Sequence, residues 1–84
     1  MKHENLNNSI EGLLLRKREI EAKIKVNEYH ISNYMSYANG STTKETRHMW
    51  ENAIKDYKER NHFLGYELIN TQKEISDLLD KEGE

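Results

Sequence analysis

A chain of 84 residues makes at most one small domain, and at that size only about 60% of the unfolded surface is buried on folding. Hydrophobic residues are 35% of the chain and charged residues 33%, with no Cys and no Pro. This excludes a disulfide framework and a thiolate zinc site, and leaves little to interrupt a long helix. A formal charge of −2 argues against the electrostatic footprint of a nucleic-acid binder, so nucleic acid is not an expected partner.

The N-terminal residues Met1-Lys2-His3-Glu4-Asn5 lead into polar sequence rather than an apolar core, so no signal peptide is expected. The longest apolar run, Leu13-Leu14-Leu15, falls far short of the about 18 residues a membrane span requires. A cytoplasmic protein with no membrane partner is the expectation, in keeping with the absence of Cys. The abundance of Asn with Lys, Ile and Tyr is a flavour shared by AT-rich genomes such as those of many phages and low-GC bacteria.

The first helix is predicted over residues 6–38, roughly, with Asn5, Asn7 and Asn8 as rival N-caps. Its apolar seam follows a 4-3 repeat through Leu6, Ile10, Leu13, Lys17, Ile20, Ile24, Asn27, Ile31, Tyr34 and Ala38. Ile10, Ile24 and Ile31 then take heptad position a, and Leu6, Leu13, Ile20 and Tyr34 position d. A seam sustained at that period implies coiled-coil packing against another helix.

Asn39-Gly40-Ser41-Thr42 is the predicted turn. Glycine just past a helix accepts the left-handed conformation, so Gly40 is expected to stop the first helix in that way. Thr42 with Glu45 has capping-box spacing and is expected to start the next.

The second helix is predicted over residues 43–79, roughly, followed by a frayed acidic tail at 80–84. Its seam reads Arg47, Trp50, Ile54, Tyr57, Asn61, Leu64, Leu68, Thr71, Ile75 and Leu78. Folding the chain near residue 42 matches the two seams layer by layer, with partner numbers summing to about 85. The expected fold is therefore all-α: one antiparallel, coiled-coil-like helical hairpin spanning the chain, self-associating into a larger helical bundle.

Self-association is expected because large apolar residues lie outside the seam: Leu14, Leu15, Val26, Tyr29, Met35, Tyr37, Met49, Phe63, Tyr66, Ile69 and Leu79. Each buries surface worth about 1.5–3 kcal/mol if it finds a partner. Phe63, Tyr66 and Ile69 form an i, i+3, i+6 row, and Tyr29 and Tyr37 are aromatics of the kind interfaces favour. The candidate interface is Tyr29, Tyr37, Phe63, Tyr66 and Ile69, with Leu14 and Leu15.

Chemistry-bearing patterns are sparse. Glu45…His48 and Glu59…His62 have the Glu-x-x-His spacing of di-iron bundles. Both His fall at position b and both Glu at f, however, facing away from the seam, so neither a metal site nor a cofactor is expected. Arg16, Lys17, Arg18, Lys23 and Lys25 form one basic cluster, interrupted by Glu19 and Glu21. Pairing with Glu67, Glu74 and Asp77 of the partner helix is its expected role. Lys17 occupies a seam position from which its stem packs while its ammonium reaches solvent. Asn27 and Asn61 in the seam are of the polar type that fixes register.

No nucleophile–base constellation or phosphate-cradling loop is present in the sequence, so the expectation is a non-enzyme. The leading functional expectation is an interaction or regulatory protein that binds another macromolecule, of the kind phages and mobile elements use as accessory regulators or inhibitors. Its expected partners are further copies of itself and a second protein. The alternative expectation is an oligomer that sequesters a small anionic ligand such as a nucleotide signal. In that case Tyr34 and Tyr57 would stack on a base, and Arg16, Lys17 and Arg47 would hold phosphate.

Overall fold

The computed structural model describes the backbone of residues 2–83 and the side chains of residues 9–81. Within them the chain is an antiparallel hairpin of two helices, α1 (Lys2–Asn39) and α2 (Lys44–Gly83). The body measures 63 × 15 × 14 Å, a rod one helix pair wide. The absence of Pro and the 4-3 apolar repeat permit helices this long, and packing one against the other supplies the stability an isolated helix lacks.

Both helices run past the ends read from the sequence. In α2, Asp77 and Lys81 stand four residues apart in the favourable order, and Lys81 lies in the last turn beside the exposed carbonyls. Residues 80–83 accordingly continue the helix. Leu6, the first predicted seam residue, lies outside the described side chains.

The turn is built differently from the expected one. No described glycine has a positive φ, so Gly40 does not adopt the left-handed conformation. Instead the Gly40 amide donates to the Ser36 carbonyl at 3.0 Å, continuing the helical ladder, and the Ser41 amide donates to Ala38 at 3.2 Å. The Ser41 hydroxyl then donates to the Tyr37 carbonyl at 2.8 Å, satisfying one of the orphan acceptors at the helix end. At the start of α2 the cap is Thr43 rather than Thr42. Its Oγ1 accepts from the Thr46 amide at 3.2 Å and donates to the Thr46 hydroxyl at 2.7 Å.

Ile10, Leu13, Lys17, Ile24, Asn27, Ile31 and Tyr34 are half-buried, and Ile20 and Ala38 buried, as the seam of α1 requires. On α2 the seam residues from Trp50 to Leu78 are likewise half-buried, with Thr71 buried and Arg47 exposed. Thr71 is 2% exposed, and its hydroxyl donates to the Glu67 carbonyl at 2.8 Å. The core is thin: among the described residues only Ile20, Ala38 and Thr71 are buried.

The register is pinned at mid-length. Asn27 Nδ2 donates to Asn61 Oδ1 at 2.8 Å, and Asn61 Nδ2 donates to the Ile24 carbonyl at 3.3 Å. Asn61 thus sits in a hole between Ile24 and Asn27 instead of opposite Ile24 alone. Tyr34 stacks on Trp50 with ring centroids 5.3 Å apart.

Candidate interaction surface

Position in the heptad decides which side of the hairpin a residue occupies. Ser9, Gly12 and Arg16 share a groove of about 620 Å³ with Glu74 and Asp77, and Lys23 shares another with Arg60, Phe63 and Glu67. These are g and c positions of both helices, so they define one broad face. Met35 shares a depression with Glu51 on the opposite, e-position face. The f positions point away from the seam altogether.

The apolar residues outside the seam are all exposed: Leu14, Leu15, Val26, Tyr29, Met35, Tyr37, Met49, Phe63, Tyr66, Ile69 and Leu79. The structure distributes the candidate interface over several sides. Tyr29, Leu15 and Tyr66 lie at f, and Tyr29 is the most exposed of the set at 66%. Phe63 at c and Tyr66 are joined by His62, whose ring meets Tyr66 edge-on at 4.9 Å and Phe63 at 6.1 Å. Ile69 at b and Leu14 at e flank the opposite face. Tyr37 at g leans on Trp50, with centroids 5.0 Å apart, so its ring is half committed to the hairpin.

An aromatic row occupies the half of the molecule nearer the turn. His30 stacks with Tyr34 at 5.9 Å and packs on Tyr57 at 5.3 Å, while Tyr34 and Tyr57 are 5.5 Å apart. The Arg60 guanidinium lies over the Tyr57 ring, 4.8 Å from its centroid. Hydrogen bonding to Tyr57 raises the Tyr34 pKa above its ordinary value of 10.0, with burial and the neighbouring Tyr57 and Tyr37 adding to it and Arg60 opposing it. Tyr34 is therefore held protonated as part of the packing. The seam pattern marks out neither His30 nor Arg60. The i, i+4 spacing of His30 and Tyr34 is the signal that points to the first.

Of the residues suited to an anion, Tyr34 and Tyr57 come together, but the cations do not join them. Arg16 lines a groove that Glu74 and Asp77 also line, towards the open end. Lys17 is half-buried in the seam. Arg47 is beside the turn, lining depressions with Glu51 and with Ser41, Thr42, Thr43 and Lys44. Of the basic cluster, Arg16 shares a groove with Glu74 and Asp77, and Lys23 shares one with Glu67.

His48 and His62 are both exposed. Among the described residues no three His, Asp or Glu side chains gather as they would to hold a metal ion. Among the same residues no helix is long and apolar enough to cross a membrane. Comparison with known proteins finds no matching family model, no matching curated protein and no matching solved structure.

Proposed function

We propose that this chain is a small, non-enzymatic interaction protein that self-associates and acts by binding another macromolecule. One observation carries the reading: large apolar and aromatic side chains lie exposed along the rod while, among the described residues, only Ile20, Ala38 and Thr71 are buried. We read part of this exposed apolar surface as the place where a partner is met. The open, shallow shape of the grooves adds support, because catalysis needs a site that excludes water. A cytoplasmic accessory regulator or inhibitor from a phage or other mobile element is the narrower form of this reading, and it rests on size and composition alone.

The experiment is native mass spectrometry of untagged protein taken directly from the cells that produce it. A homo-oligomer, bare or with a stoichiometric second protein, is the expected result. A bare monomer overturns the reading. An oligomer carrying a few hundred additional daltons per site, released on denaturation with absorbance near 260 nm, replaces it with sequestration of a small anionic ligand.

A further inference from the structure

The hairpin leaves too much surface in water for its mass. A folded monomer of 10.0 kDa is expected to expose about 5,200 Å². This chain exposes 6761 Å², roughly 1,500 Å² beyond that expectation. A standard interface takes about 800 Å² from each partner, so the excess is large enough for one.

The apolar part of that surface is not spread evenly: Val26, Tyr37, Met49 and Phe63 lie exposed at g/c positions of the turn-proximal half. Within the helices, the half-buried residues outside the seam are His30, Asn33, Ala53 and Gly65, and all but Gly65 occupy the g/c face. In its turn-proximal half that face presents Val26, Asn33, Tyr37, Met49, Ala53 and Phe63. The corresponding e/b face carries one large apolar residue, Met35, among Glu28, Glu51, Lys55 and Lys58. Towards the open end the g/c face becomes charged, with Arg16, Glu74 and Asp77 around one groove. An apolar region bounded by charge on the same face sets the limits of a contact.

Two charges lie inside it, Asp56 at c and Arg60 at g, one helical turn apart on α2. They are opposite in sign and equally placed about residue 58. A two-fold axis crossing α2 there sets Arg60 of each copy against Asp56 of the other. The same operation lays the large Phe63 over the small Ala53, which is the large-on-small alternation that close packing needs.

We propose that a second copy of this chain packs on the g/c face about a two-fold axis near Asp56 and Arg60, forming an antiparallel four-helix bundle of the two turn-proximal halves. The isologous symmetry follows from the self-complementary charge pair. The inference rests on the self-associating reading above and deepens it, because it separates the exposed aromatics into two groups. Phe63 and Tyr37 face the second copy. Tyr29 and Tyr66, at f positions, stay outside such a bundle and are left for a different partner.

The test is sedimentation equilibrium of the full chain and of charge-reversed variants, with helicity checked by circular dichroism. The native chain is expected to be a dimer. Asp56→Arg and Arg60→Asp are each expected to weaken it at least tenfold by opposing like charges, and the double exchange to restore it to within threefold. Tyr66→Ala is expected to leave the dimer unchanged. Ala53→Arg, which blocks the seat of Phe63, gives the same reading as the reversals should either of them lose helicity. An oligomer indifferent to these substitutions overturns the assigned face and leaves self-association standing. A native chain that is monomeric at about 100 µM, far above the dissociation constant of a specific dimer, overturns both.

Discussion

Asn27 and Asn61 are joined across the seam by a 2.8 Å hydrogen bond between residues 34 apart in sequence, and Asn61 also holds the Ile24 carbonyl. Removing one partner leaves the other amide in a half-buried site without its bond. Asn61→Leu is expected to cost about 1–3 kcal/mol. The paired change Asn27→Ile with Asn61→Leu is expected to recover that loss while permitting more than one register. Chemical denaturation of the two single variants and the double measures the coupling, and additive losses would show that the pair contributes nothing as a pair.

Adjacent threonines at the turn have unequal roles. Thr43 caps α2 through the Thr46 amide, whereas both Thr42 and Thr43 are exposed. Thr43→Ala is expected to lower stability by about 1 kcal/mol, and Thr42→Ala by only a few tenths. Thermal melting of the two variants side by side decides it. Equal losses, or a larger loss at Thr42, would contradict the cap described above.

Gly40 continues the helical ladder without a positive φ. A Cβ there would lie 3.5 Å from the Ser36 carbonyl oxygen and 3.9 Å from that of Tyr37, ordinary contact distances. Gly40→Ala is therefore expected to stabilise the hairpin by about 0.4–1 kcal/mol, because alanine has less unfolded freedom to lose. Gly65 lies mid-helix with nothing within 4 Å of a Cβ, and Gly65→Ala is expected to add about 1 kcal/mol. A fall in melting temperature for Gly40→Ala would restore the left-handed stop expected from sequence.

Tyr34 has a raised pKa in the fold, through its hydrogen bond to Tyr57 first and burial second. The neutral phenol is the form the fold prefers. Its contribution is complete below the unfolded value of about 10 and is lost as pH rises through the higher folded value. Melting temperature is expected to fall as pH rises above about 10, and less steeply in Tyr34→Phe, which cannot ionise. Parallel slopes for the two proteins would remove Tyr34 from the alkaline transition.

The hairpin and its seam were legible because they rest on a repeat: every described non-exposed residue at a predicted seam position is where a 3.5-residue period puts it. The same repeat identified the exposed apolar residues. What the pattern could not show was the turn, where the choice between Thr42 and Thr43 depends on how many residues Gly40 and Ser41 use to finish α1. Nor could it show that Asn61 drops between Ile24 and Asn27. Antiparallel helices interdigitate, and a polar pair selects its own depth within the layers. The candidate interface was legible as a set of residues but not as sides, because a wheel position acquires a direction only once the second helix is in place.

The aromatic row lies near the bend, and this has a kinetic consequence. Tyr37 and Trp50, in contact at 5.0 Å, are separated by little more than the turn, so the loop they close is short and its entropic cost low. Contacts at the open end, such as the groove shared by Leu13 and Leu78, must wait for nearly the whole chain to align. The hairpin is thus arranged to zip from the bend outward. Substitutions at Trp50 or Tyr34 will act chiefly on the folding rate, and those at Leu13 or Leu78 on the rate at which the rod comes apart.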